Sequence, residues 1–113
     1  MGKKILHIYP GPLKEMADFG QRIKDARLRR RFSMETVCAR VGISRPTLGK
    51  IEKGDPSVAF GIYAVVLRVL GLLDDLAHVA KEDKLGRLLQ DESLPQRKRS
   101  PRKLKPPQPE GAP

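Results

Sequence analysis

The side chains best equipped for chemistry cluster near the middle of the chain: Ser33, Ser44, Arg45, Pro46, Thr47, Lys50 and Lys53. No nucleophile–base pairing is evident among them, so the chemistry on offer is recognition by hydrogen bond and charge. An arginine fork meets the O6 and N7 acceptors of guanine with two parallel hydrogen bonds, worth about 1–3 kcal/mol of discrimination. A threonine carries a hydroxyl for a phosphate or base edge and a methyl for thymine. Lys50 and Lys53 are suited to phosphates, contacts that position a protein on a duplex without specifying sequence. A helix starting after Ser33 would aim free N–H groups at a further phosphate.

These residues are useful only if short helices hold them outward. Met34, Val37, Cys38 and Val41 recur at i, i+3, i+4 and i+7, which predicts a helix with one buried face, capped by Ser33. Gly42 follows, the residue type that ends a helix in the left-handed conformation. Ile43 plugs the turn, and Ser44 caps a further helix running to about Glu52. Pro46 falls in its first turn, where the missing N–H costs nothing. Leu48 and Ile51 are its core residues, which leaves Arg45, Thr47, Lys50 and Lys53 pointing outward; Gly54-Asp55-Pro56 stops it. Two short helices joined by a tight glycine turn are the layout of a helix-turn-helix, with Cys38 small because the helices cross closest there. Gly49 inside the second helix costs about 1 kcal/mol against alanine, and either permits close approach to DNA or is simply tolerated.

The flanking pattern supplies the rest of a small core. A first helix is expected from about Leu13 or Asp18 to Arg30, with Phe19, Ile23 and Ala26 inward and Arg22, Lys24, Arg27 and Arg29 to Arg31 on other faces and at the C-terminal end. A fourth helix, from about Phe60 to Leu70, has two apolar stripes. Phe60, Tyr63, Ala64, Leu67 and Leu70 face the core, and Ile62, Val65, Val66 and Val69 face a second subunit. A fifth helix takes Leu72 or Leu73 to Val79, with Leu73, Leu76 and Val79 inward, and a short one covers residues 82–90. Residues 5–9 read as a strand ended by Pro10-Gly11-Pro12, and residues 94–113, rich in proline and basic side chains, as a disordered tail. The expected organisation is therefore all-α: an extension at 1–12, a DNA-binding domain at 13–80, a short helix at 81–93 and the basic tail.

Composition narrows the partners. The chain of 113 residues carries a formal net charge of +10, which draws polyanions. Residues 14–54 hold 11 basic and 5 acidic side chains, whereas residues 55–93 hold 4 basic and 7 acidic. One cysteine, Cys38, excludes an internal disulfide framework and fits a reducing cytoplasm. His7 and His78 lack partners at ligand spacing, Asp74-Asp75 resembles a helix-starting acidic pair, and no phosphate-binding glycine loop is present. We therefore expect no metal, no cofactor, no enzymatic activity and no membrane-spanning segment, since no apolar run reaches the ~18 residues that spanning requires.

The stretch from about Phe19 to Leu76 resembles the Xre family of lambda repressor/Cro-like regulators, on GQRIKDARLRR, VCARVGISRPTLGKIEKGDP and VLRVLGLLDDL. GDPSVAFGIYAVVLRVLGLLDDLA and KLGRLLQDESLPQRKR are most similar to HipB-like members, antitoxins paired with HipA-like kinase toxins. The resemblance implies a homodimer on palindromic, double-stranded operator DNA that represses its own operon. It also implies an alternative, a protein whose main role is to bind and neutralise a HipA-like kinase. Where many members carry a phosphate-clamping glutamine just after the helix 2 cap, this chain has Met34. A rival from composition alone is sequence-independent binding to nucleic acid or anionic surfaces through basic patches.

Overall fold

A computed structural model describes residues 8–93. The expected strand at residues 5–9 lies mostly outside the described residues, and Ile8 and Tyr9 belong to no strand. His7 and the basic tail at 94–113 also lie outside them. The described residues are all-helical: α1 (Pro10–Arg29), α2 (Met34–Val41), α3 (Arg45–Glu52), α4 (Phe60–Val69), a 3-10 helix (Leu73–His78) and α5 (Lys84–Ser93). The chain divides into two compact units, Met1–Ala77 and His78–Pro113.

In the first unit, α1 packs across α3, and α2 packs on both α3 and α4. Ile23 and Ala26 from α1, Val37 and Cys38 from α2, Leu48 and Ile51 from α3, and Tyr63, Val66, Leu67 and Leu70 from α4 form one core. Phe19, Met34, Val41, Ile43 and Leu76 pack against it half-buried. At its centre the Tyr63 ring stacks on Phe19 at 5.5 Å, and its hydroxyl donates to the Asp55 carbonyl oxygen at 2.7 Å. That bond ties α4 to the loop that brings the chain out of α3. Burial pushes the Tyr63 phenol up to about 12, with the Asp55 carboxylate adding to the effect.

Several expectations are corrected. Helix α1 starts at Pro10, so Pro10-Gly11-Pro12 is its first turn and not a strand terminator. The first N–H groups of any helix lack an intrahelical acceptor, so prolines there forfeit nothing, and the Leu13 N–H closes the first turn on the Tyr9 carbonyl oxygen at 3.2 Å. Val66, expected at a subunit interface, is 0 % exposed in the core, whereas Phe60, expected inward, is 57 % exposed. The buried set 63, 66, 67, 70 keeps the i, i+3, i+4, i+7 spacing, and Phe60 precedes it in a first turn that stays open to solvent. Ala64, also expected inward, is only half-buried. In place of the fifth helix there is a 3-10 helix at Leu73–His78; Leu73 and, just after it, Val79 are exposed, so of the three residues expected inward Leu76 packs on the core, next to Leu72.

Arg27, expected on an outward basic face, is the largest departure. It is 7 % exposed and grips Glu52, also 7 % exposed, by two hydrogen bonds: Nε to Oε2 at 2.6 Å and Nη2 to Oε1 at 3.1 Å. Its Nη1 donates to the Phe32 carbonyl oxygen at 3.0 Å, so one guanidinium joins α1, α3 and the entry to α2. The hydrogen bond to Glu52 raises its proton affinity, against the opposing effect of burial.

The second unit contributes α5, whose start is capped by Asp83: Oδ1 accepts the Gly86 N–H at 2.9 Å. Leu85, Leu88 and Leu89 lie along one exposed face of it.

Candidate nucleic-acid interface

The bend between α2 and α3 has the expected chemistry. Gly42 adopts φ 87°, and its N–H and that of Ile43 both donate to the Cys38 carbonyl oxygen, at 2.8 and 3.1 Å. A residue with a Cβ is strained in that left-handed conformation, so glycine sets the angle between the helices. Cys38 is buried at the crossing, and burial pushes its thiol up, which leaves it an inert packing group. Leu48 and Ile51, both wholly buried, fix one side of α3 against α1 and α2.

Both caps form. Ser33 Oγ accepts the Thr36 N–H at 3.1 Å, and Ser44 Oγ accepts the Thr47 N–H at 3.3 Å. Each serine hydroxyl also bonds the threonine three residues on: Ser33 to Thr36 at 3.0 Å, and Ser44 with Thr47 at 2.9 Å. Pro46 lies in the first turn of α3 and is exposed, as are Ser33, Ser44, Arg45, Lys50 and Lys53; Thr47 is half-buried. The fold thus gathers Ser44, Arg45, Pro46 and Thr47 at the start of α3, with Lys50 and Lys53 toward its end, and it sets Ser33 at the start of α2. Ile62, Val65 and Val69 lie apart from this set, on α4, and retain exposed surface.

A family model described as a helix-turn-helix domain matches residues 18–80, over half of the chain. The chain belongs to the helix-turn-helix domain family. It is accordingly a DNA-binding regulator in the broad sense. No curated protein matches it. The matched residues include all of α2, the bend, α3 and α4, and α1 from Asp18 to its end.

Two features of this helix-turn-helix protein were not visible in the sequence. Glu35, in the first turn of α2, takes a hydrogen bond from Arg45 Nη1 on its Oε2 at 2.7 Å. The residues are ten apart and on different helices, so only the bend angle reveals the pair. The second is the loop after α3. The Asp55 carboxylate accepts the Ser57 N–H at 2.8 Å, and that bond, with one from the Ser57 hydroxyl, holds its carboxyl below the usual range. Asp55 N–H in turn donates to the Lys50 carbonyl oxygen at 3.0 Å, so the loop is pinned to the end of α3. Gly49 faces open space: a Cβ there would meet nothing within 4 Å. Among the described residues no helix is long and apolar enough to cross a membrane.

Proposed function

We propose that the chain is a sequence-specific operator-binding regulator, an autorepressor in which α3 enters the major groove. The observation that carries this reading is the division of α3 into two faces. Leu48, Ile51 and Glu52 are buried, while Arg45, Lys50 and Lys53 are exposed on a helix that starts at a formed serine cap. A helix so anchored presents a fixed set of donors, and groove reading needs fixed donors. Arg45 reads a guanine, Thr47 and Ser44 meet a phosphate or base edge, and Pro46 holds the first turn. Lys50 and Lys53 neutralise phosphates, and the N-terminus of α2 at Ser33 faces another. The protein works in the cytoplasm as a homodimer, joined through Ile62, Val65 and Val69 of α4, and catalyses no reaction.

Selection of bound duplexes from a random pool tests the reading. A defined palindrome should emerge. Arg45→Ala should cost about 1–3 kcal/mol at one base pair per half-site, whereas Lys50→Ala should weaken all duplexes alike. Equal weakening by Arg45→Ala on every duplex would favour charge-driven, sequence-independent binding instead.

A second role, as antitoxin to a HipA-like kinase, draws support from α5, whose Leu85, Leu88 and Leu89 are 67 %, 60 % and 54 % exposed. Such a face is suited to a protein partner. Co-purification of a kinase that is lost in a Leu85→Ser, Leu89→Ser variant supports this role; retention of the kinase by that variant counts against it.

A further inference from the structure

An acidic side chain beside the start of a DNA-reading helix is unexpected, because it repels phosphate. Glu35 is such a side chain. Its carboxylate lies 2.7 Å from Arg45 Nη1, and the two side chains are 68 % and 64 % exposed. An exposed ion pair of this kind adds little to folding stability, so stability alone does not account for it. Complementing the dipole of α2 would account for an acid in its first turn, yet an acid on any face of that turn would serve without touching Arg45.

We propose that Glu35 is a positioning residue that makes Arg45 selective. It holds the guanidinium through Nη1, keeps it from settling on a phosphate, and leaves the Nε–Nη2 edge presented to the groove. This rests on the reading of Arg45 as the guanine-recognising residue. The geometry of the free edge is suited to the task. Nε and Nη2 are the two nitrogens with which Arg27 grips both oxygens of Glu52 in this same chain, so a bidentate grip through that edge needs no help from Nη1. Selectivity is a difference between affinities. An unrestrained arginine reaches a phosphate on any duplex and gains affinity without discrimination. Tethered to Glu35, it gains fully only where a guanine offers O6 and N7 in place, while the carboxylate penalises every duplex equally.

The sign of the expected effect is therefore opposite to that of removing an ordinary contact. The test uses the full chain, the duplex it selects from a random pool, the same duplex with the Arg45-contacted guanine replaced, and a random duplex of equal length. Binding is followed by fluorescence anisotropy at fixed salt. Glu35→Ala should bind the random duplex about threefold to tenfold more tightly, because a like charge has left the surface. Its discrimination at the replaced guanine should fall by a similar factor. In an Arg45→Ala background, Glu35→Ala should leave discrimination unchanged. Glu35→Gln, which keeps an acceptor for Nη1 but not the charge, should gain random-duplex affinity while retaining part of the discrimination.

Unchanged discrimination in Glu35→Ala overturns the inference. So does a uniform loss on all three duplexes with a lowered melting temperature, the mark of a residue that only supports α2. Failure of the wild-type chain to select any sequence appears before a variant is made; it overturns the operator-binding reading itself, and this inference with it.

Discussion

Arg27 and Glu52 are each 7 % exposed, and their two hydrogen bonds, with the third to Phe32, satisfy charges that water no longer reaches. Such a pair is costly to break and much cheaper to replace, because removing one partner strands the other charge in a poorly solvating site. Glu52→Ala should therefore lower unfolding free energy by about 3–5 kcal/mol in urea titrations, while Arg27→Met with Glu52→Leu should recover most of that loss. Tyr63 carries a second residue-level consequence. Its folded pKa of about 12 lies above the ordinary 10.0, so between those values the folded chain keeps a proton that the unfolded chain has released. The stability associated with Tyr63 is intact below pH 10 and declines as pH rises from 10 toward about 12. Denaturation midpoints of the wild type should fall more steeply over that window than those of Tyr63→Phe, by about 2–3 kcal/mol at its top. At neutral pH the same variant should cost about 1 kcal/mol, through loss of the short hydroxyl bond to the Asp55 carbonyl oxygen, which keeps only the longer one from the Val58 N–H at 3.4 Å. Parallel curves for the two proteins above pH 10 would remove the argument.

At the scale of elements, α1 and α3 approach so closely that side chains are excluded where they cross. A Cβ on Gly20 would run into the Gly54 backbone nitrogen and lie 2.7 Å from the Ile51 carbonyl oxygen, while one on Gly54 would strike the Met16 carbonyl. Gly49, on the outer surface of α3, meets nothing. The same substitution should thus act in opposite directions. Gly20→Ala should destabilise by about 1–3 kcal/mol through overpacking, and Gly49→Ala should stabilise by up to about 1 kcal/mol through helix propensity, both read from thermal unfolding. This contrast also shows what the sequence could and could not reveal. The caps at Ser33 and Ser44, the turn at Gly42 and the burial of Leu48 and Ile51 depend on neighbours within one or two turns, and they are legible as local spacing. Arg27–Glu52 joins residues 25 apart and Glu35–Arg45 residues ten apart; both depend on interhelical angles that no local pattern encodes. Helix α4 departs from its expected faces for a related reason. With valine, isoleucine or an aromatic at most positions, its composition is apolar on nearly every side, so the buried stripe is chosen by its neighbours and not by periodicity. At α1 the difference is local: a helix start tolerates the same prolines that break a strand or a helix interior.

For the whole molecule, charge and apolar surface are separated along the chain. Residues 14–54, which hold α2 and α3, have a net charge of +6, and residues 55–93, which hold α4, have a net charge of −3. The surplus of residues 14–54 sits mainly on α1 and on Arg30, Arg31 and Lys53 around it and α3, while α4 lies outside that basic stretch in sequence and keeps Val65 at 38 % exposed and Ile62 and Val69 half-exposed. A second copy meeting this one across α4 would leave both copies of α3 free for successive major grooves, about 34 Å apart on a palindrome. Because Val65 contributes little to the monomer core, Val65→Glu should fold normally and act on association alone. Sedimentation should give a dimer for the wild type and a monomer for the variant at micromolar concentration. Linking two half-site contacts multiplies affinity through effective concentration, by about 10²–10⁴, so the variant should lose a factor of that order on the full palindrome. On a duplex with a single half-site, where no second contact is available, the two proteins should bind alike. A variant that remains dimeric, or that weakens on the half-site as much as on the palindrome, would place the subunit contact elsewhere than α4.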